Sequence, residues 1–186
     1  MVVQLAKRRF NISQYHQMNK AGILKEDDRV ELINGEIIEM SPIGTRHTAC
    51  VNRLNSLFSQ LLAKKVIVAV QNPIILNNLS EPQPDIALLK PRADFYETGH
   101  PQPQDILLLV EVADSSIEYD REVKIPLYAS SGISEIWLVD IEEQVITVYR
   151  YPTANGYSEI KTFQRGDILD LQIFPEIQLN VDAVLG

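Results

Sequence analysis

Two carboxylates stand where a carboxylate is costly. Asp85 follows Pro84 and opens the apolar run DIALL, and Glu111 interrupts ILLLVEVA between Val110 and Val112. An acid buried in an apolar strand loses its hydration and is tolerated where a cation or hydrogen-bond donors replace that water. If the two strands are neighbours, both acids reach one sheet edge, and a divalent cation relieves their repulsion. Oxygen-only ligation suits Mg²⁺ or Mn²⁺. Such an ion flanked by a lysine suits hydrolysis of a phosphodiester, because the metal acidifies and orients water while both cations offset charge developing on phosphorus. The same acids also have a plainer reading, with the Asp as a turn or cap residue and the Glu as a solvated edge residue or half of an ion pair.

The elements that must position these acids are visible in the patterning. Residues Asn11 to Asp28 have weak helical character. RVELINGEIIEM reads as a hairpin, with Asn34-Gly35 as a two-residue turn. Residues 45–65 form the clearest helix, with Cys50, Leu54, Leu57, Phe58, Leu61 and Leu62 as a buried stripe. Arg46, Arg53, Gln60 and Lys64 make a second stripe that should face solvent or a ligand. Strands are expected at Val66 to Val70, continuing at Ile74 to Leu76, then at Asp85 to Leu89 and Ile106 to Ala113. The last is apolar on both faces, as a central strand requires. Residues 91–105 are a loop, and 120–131 a short helix with Pro126 in its first turn and Gly132 at its end. EIWLVD is a strand, and VITVYRY and SEIKTF pair across Ala154-Asn155-Gly156. The whole is an α/β sandwich, a mixed central sheet flanked by helices with an N-terminal hairpin.

Composition narrows the function classes. The chain has 186 residues, 45% hydrophobic and 23% charged, which argues for one domain (1–186) with a sizeable core and against disorder. The start MVVQLAKRRF is too short and too basic for a secretory signal, and no apolar stretch approaches a bilayer span. The single Cys50 cannot form an internal disulfide, and no Cys/His cluster has zinc spacing. A cytoplasmic location without membrane partners is therefore expected. The net charge of -8 opposes nucleic-acid binding, which draws on cations at phosphate. Met40 to Ser80, however, holds no acid and carries Arg46, Arg53, Lys64 and Lys65, a local electropositive face, with Lys7, Arg8 and Arg9 as a candidate basic arm.

The run EVADSSIEYDREVKIPLYASSGISEIWLVD resembles the Uma-type family, first described as a domain of unknown function and assigned to restriction endonucleases. Its pattern is matched by Glu111-Val112, Ser115, Asp120, Lys124, Tyr128, Gly132-Ile133, Glu135, Trp137 and Val139-Asp140. Upstream, Glu31-Leu32 with Gly35-Glu36, Met40-Ser41-Pro42 with His47, and Pro84-Asp85 match further elements, so the resemblance covers roughly residues 25–140. It implies a restriction-endonuclease-like fold of the PD-(D/E)xK superfamily and a Mg²⁺- or Mn²⁺-dependent endonuclease acting on DNA. Asp85, Glu111 and Lys124 would be catalytic, and Asp85 and Glu111 the metal ligands. One departure stands out. The motif lysine belongs two residues after the strand acid, where this chain has Ala113, so Lys124 would have to reach back from the following helix. Its plainer role is an i,i+4 partner of Asp120.

Supporting roles fall to Glu31, His47, Gln83 and Asp120, and phosphate contacts to Arg46, Arg53 and Lys64. Period two places Glu31 opposite Val30 and Leu32, so if these face the core Glu31 points away and rests on the resemblance. His47 lies on the buried side of its helix, as a packed residue or as a ligand. Asp120 orients Lys124 or caps its helix, and Tyr128 and Trp137 read as core. The alternative function is a non-catalytic nuclease-fold protein that binds nucleic acid or a protein partner. A homodimer is a further possibility, with no interface located.

Overall fold

The computed structural model describes residues 7–25 and 27–186; the first six residues, on which the reading of the N-terminal leader partly rests, lie outside them. Helix α1 (Ile12–Lys20) starts at Asn11, whose side chain accepts from the Gln14 amide while the Gln14 side chain bonds back to the Asn11 amide. This reciprocal cap supplies the start that weak apolar periodicity does not. Strands β1 (Val30–Ile33) and β2 (Glu36–Glu39) form the expected hairpin. Asn34 and Gly35 both take positive φ, 50° and 80°, as a tight hairpin turn requires.

Helix α2 (Thr45–Leu61) packs Cys50, Leu54, Phe58 and, just past its end, Leu62 onto one face of a six-stranded sheet. The sheet order is β3 (Ile67–Val70), β4 (Ile86–Leu89), β5 (Ile106–Ala113), β6 (Glu135–Asp140), β7 (Val145–Thr153) and β8 (Gly156–Gln164). All neighbours are antiparallel except β5 and β6. That one parallel pair needs a crossover, and the helical run between its strands provides it. Alternation in β5 sends Leu108, Val110 and Val112 toward α2, and Leu109 and Ala113 toward the crossover helix with Ile125 and Tyr128. Glu111 shares the parity of Leu109 and Ala113. It therefore faces the crossover helix, and this parity decides its partners.

Two expectations need correction. Residues Ile74 to Leu76 do not continue β3. Gln71 turns the chain with φ 51°, and the amides of Ile74, Ile75 and Leu76 then bond to Pro82, Pro101 and Ser80 carbonyls in a coil. The crossover helix also begins earlier than 120. It runs as α3 (Ile117–Tyr119), a π-turn (Asp120–Lys124) and α4 (Ile125–Ser130) without a break, so Pro126 sits deep in the run. A proline there lacks the amide that an α-helix needs. The wider turn immediately before it changes the bonding pattern, as such bulges do where a helix must accommodate strain. Gly132, φ 79°, ends the run as expected.

The C-terminal part adds elements that the patterning did not reveal. Strands β9 (Ile168–Leu171) and β10 (Phe174–Asn180) form a separate antiparallel pair, followed by α5 (Val181–Leu185). Leu169, Leu171, Val181 and Val184 join α2 in the core on that face. Among the described residues no helix is long and apolar enough to cross a membrane.

Candidate functional site

Asp85 lies one residue before β4, and β4 runs antiparallel to β5 with Ile86 opposite Val110. One step further along both strands brings Asp85 to the level of Glu111. Both oxygens of Asp85 are engaged. Oδ2 accepts from the Val112 amide at 2.9 Å and pairs with His47 Nε2 at 3.0 Å, while Oδ1 accepts from Gln71 Nε2 at 3.1 Å. His47 reaches it from the first turns of α2 at the end of the sheet. Burial lowers the His47 pKa, but the hydrogen bond and charge of Asp85 outweigh it and raise the value above 6.5. The His47 Nδ1 atom is buried with no hydrogen-bond partner among the described residues.

Glu111 is buried against the crossover helix. Its Oε1 accepts from the Tyr128 hydroxyl and lies 3.4 Å from Lys124 Nζ. Lys124 is 6% exposed, and its ammonium also lies 3.2 Å from Glu31 Oε2 and 3.9 Å from Asp120 Oδ1. One ammonium is thus shared by acids from three elements: the hairpin, the central strand and the π-turn. Burial pulls the Lys124 pKa down, yet the charges of Glu111, Glu31 and Asp120 more than reverse this, so it stays protonated. Burial pushes Glu111 well above the usual carboxylate value; Lys124 and the Tyr128 hydroxyl oppose that rise, while Asp120 and Asp85 reinforce it. Asp120 is raised for the same first reason, burial, although Lys124 and the Ser116 hydroxyl hold it down.

Glu31 does not point away from the core. It is 2% exposed, and its Oε2 accepts from the Gln83 amide at 3.1 Å and its Oε1 from the Tyr119 hydroxyl at 3.2 Å. Leu32 and Ile33 are buried as well, because the short hairpin is covered on both sides and period two no longer separates core from solvent. The Gln83 side chain donates to the Gln71 carbonyl. Glu31, His47, Gln83, Asp85, Glu111, Asp120 and Lys124 therefore line one cleft of about 430 Å³, with Met40 to Gly44 and Asp114 to Ser116 around it.

Four acids of this cleft, Asp85, Glu111, Glu31 and Asp120, face one ammonium and one histidine. The donor chemistry suits a hard dication; the upward shifts of Glu111 and Asp120 come first from burial, and neighbouring acids add to them. Among the described residues, however, no three His, Cys, Asp or Glu side chains are placed to hold one ion together.

The proposed phosphate-contacting residues are scattered. Arg46 stands beside the cleft, 3.2 Å from Glu142, 3.9 Å from Asp114 and bonded to the Ile141 carbonyl. Arg53 turns away from open solvent, and its Nε donates to the Val184 carbonyl at 2.9 Å at the end of α5. Lys64 lies beyond the C-terminal end of α2, exposed, at the opposite end of the helix from His47. The stripe is continuous in sequence but does not form one open basic face.

A family model described as "Uma2: Putative restriction endonuclease" matches residues 12–182. The chain belongs to the Uma2 family. It is similar to a solved structure from Anabaena variabilis ATCC 29413, described as a "putative nuclease belonging to DUF820". The two share 19% identity over 90% of this chain and 96% of that one, with a TM-score of 0.70, which establishes the common fold. No curated protein matches the chain. Membership covers the late strands as well as the central motifs.

The residues that carry the sequence resemblance are of two kinds. Glu31, His47, Asp85, Glu111, Asp120, Lys124 and Tyr128 meet at the cleft. Glu135 and Trp137 do not. The Trp137 indole donates to Glu135 Oε1 at 3.0 Å, Arg150 pairs with the same oxygen at 2.7 Å, and the Gln172 amide binds Oε2. That buried network ties β6 to β7 and to the C-terminal segment. Gln71, Tyr119 and the hydroxyl of Tyr128 escaped the sequence reading. Tyr128 lies four residues after Lys124 on the same helical face, which was the available signal.

Proposed function

We propose that the chain is a metal-dependent endonuclease that hydrolyses DNA phosphodiester bonds in this cleft. The observation that supports it most is the convergence of Glu111, Glu31 and Asp120 on a single ammonium, Lys124, in a cleft that Asp85 also lines. Asp85 and Glu111 would hold Mg²⁺ or Mn²⁺, which when bound supplies an acidified water and positive charge at the scissile phosphate. Lys124 would lie beside the phosphate and offset the charge that builds there, the task that Ala113 cannot perform. Glu31, Asp120 and Tyr119 hold Lys124 and its neighbours in place. His47 and Gln71 fix the Asp85 carboxylate, and His47 stands at the wall with an uncommitted Nδ1. Arg46, beside the cleft, is the best placed of the three basic candidates to meet a backbone phosphate.

The test is cleavage of supercoiled plasmid by purified protein with Mg²⁺ or Mn²⁺, against Asp85→Ala and a chelator. Cleavage by the wild type that both controls abolish supports the proposal. No cleavage at high protein concentration, together with no calorimetric metal binding, ends it.

A second reading is a nuclease-fold protein that binds nucleic acid or a protein partner without cutting. It draws on Ala113 and on the engagement of both Asp85 oxygens by internal donors. Salt-dependent DNA binding unaffected by Asp85→Ala, without cleavage, selects this reading.

A further inference from the structure

The six-stranded sheet ends on β8, which pairs with β7 on one side only. Among the described residues no backbone hydrogen bond reaches the other side of residues 157–163. Such a row of free amides and carbonyls is a template for another strand. The usual protections are weak here. β8 is nine residues long, contains no proline and pairs continuously with β7 from Glu159 to Gln164. Its midpoint is Ile160, 58% exposed.

The sequence of β8, GYSEIKTFQ, is complementary to itself when reversed. A two-fold axis normal to a sheet keeps each residue on its own face, so a strand pairing with its own copy must set one residue opposite itself. With Ile160 in that position, Glu159 meets Lys161 of the second copy and Ser158 meets Thr162. Each is a favourable cross-strand pair: opposite charges, and hydroxyls that can bond each other. The adjacent registers fail, because an axis at 159 sets glutamate against glutamate and an axis at 161 sets lysine against lysine. Within β8, Glu159 and Lys161 already meet at 3.1 Å. Pairing would interleave these two charges with the two of the other chain.

We propose that the β8 edge docks a second copy of this chain, antiparallel about a two-fold axis at Ile160, making one continuous sheet across the dimer. The contact is isologous and closes on itself, so it yields a dimer and not a filament.

Sedimentation and a charge exchange test this directly. Wild type is expected at twice the chain mass of 21.1 kDa in the micromolar range. Glu159→Lys alone, or Lys161→Glu alone, sets like charges opposite each other twice and should weaken the dimer about tenfold or more. An equimolar mixture of these two variants restores opposite charges only between unlike chains, so the mixture should dimerise where neither variant does. Thermal melts of each variant confirm folding. Ile160→Cys should form an intermolecular disulfide far faster than a cysteine at the exposed Phe95, and Cys50 is buried and does not compete. A wild type that stays at 21.1 kDa overturns the proposal. So does a dimer equally stable in both single variants, or cross-linking no faster at 160 than at 95.

Discussion

Lys124 Nζ lies 3.2 Å from Glu31 Oε2, which joins the π-turn of the crossover helix to the N-terminal hairpin inside the protein. The same ammonium serves Glu111 and Asp120, so three buried acids depend on one cation. Removing one partner of a buried ion cluster leaves uncompensated charge and costs about 3–5 kcal/mol. Lys124→Met should therefore lower stability by about that amount at pH 7, roughly 6–20 °C in Tm for a chain of this size. The folded pKa of Lys124 is raised, so its contribution is complete below its ordinary value of 10.5 and is lost only at more alkaline pH. The deficit should shrink near pH 4, where Glu111 and Asp120, both raised by burial, accept protons. Urea melts at both pH values check this, and a variant as stable as wild type at pH 7 would show that the cluster has relaxed.

Glu111 gives a prediction of opposite sign. Burial raises its pKa well above 4.5 even with Lys124 and Tyr128 opposing, so the fold favours the protonated acid. For such a group the contribution to stability is greatest below the unfolded value and declines as pH rises from there toward the folded value. Glu111→Gln keeps the shape and stays neutral. In a chelator it should gain about 1–2 kcal/mol over wild type at pH 8, some 2–8 °C, and little at pH 4. Adding Mg²⁺ should raise the Tm of wild type and not of the variant, because an ion held by Glu111 stabilises the state that binds it. Calorimetric scans in both conditions decide whether Glu111 acts toward a metal or only toward Lys124.

These two residues show what the sequence could and could not reveal. Glu111 was legible because a charge among seven apolar strand residues stands out, and strand parity then assigns its face. Asp85 was legible for the same reason. Glu31 was not, because period two sorts residues only when one face is wet, and this hairpin is covered on both. Tyr128 and Tyr119 look like core aromatics until their hydroxyls are located. The Arg46, Arg53 and Lys64 stripe was read from helix periodicity alone, which cannot see that α5 returns over α2. The coil after Gln71 and the strands β9 and β10 depend on tertiary partners far along the chain and have no local signature.

Arg53 provides a test of that last point. Its guanidinium caps the carbonyl end of α5 through Val184 and Leu185, while the Cys50 thiol also meets Val184. A hydrogen bond to a charged group contributes about 1.5–3 kcal/mol. Arg53→Ala should lower stability by about that much and release α5, visible as faster amide exchange at residues 181–185. Its effect on DNA affinity should be no larger than that of Lys64→Ala. Arg46→Ala should do the reverse, with little change in Tm and a shallower salt dependence of DNA binding.

Two glycines of positive φ separate local strain from positioning. Gly132, φ 79°, has no heavy atom within 4 Å of where a Cβ would stand, so Gly132→Ala should cost only the left-handed backbone penalty, about 1–2 kcal/mol. Gly35, φ 80°, carries the same penalty, but its Cβ would lie 2.6 Å from Arg9 Cβ and 3.1 Å from the Phe10 carbonyl oxygen. Its own backbone is bonded to Phe10 and to Leu79. Overpacking adds about 1–3 kcal/mol, and the strain falls on the turn that sets the hairpin and hence Glu31. Gly35→Ala should therefore lose more stability than Gly132→Ala and should also loosen the Glu31–Lys124 contact, which Gly132→Ala leaves intact. Double-mutant cycles with Glu31→Gln measure this, with coupling expected for Gly35 and none for Gly132. Equal coupling at both glycines would mean that the hairpin turn does not hold Glu31 in the cleft.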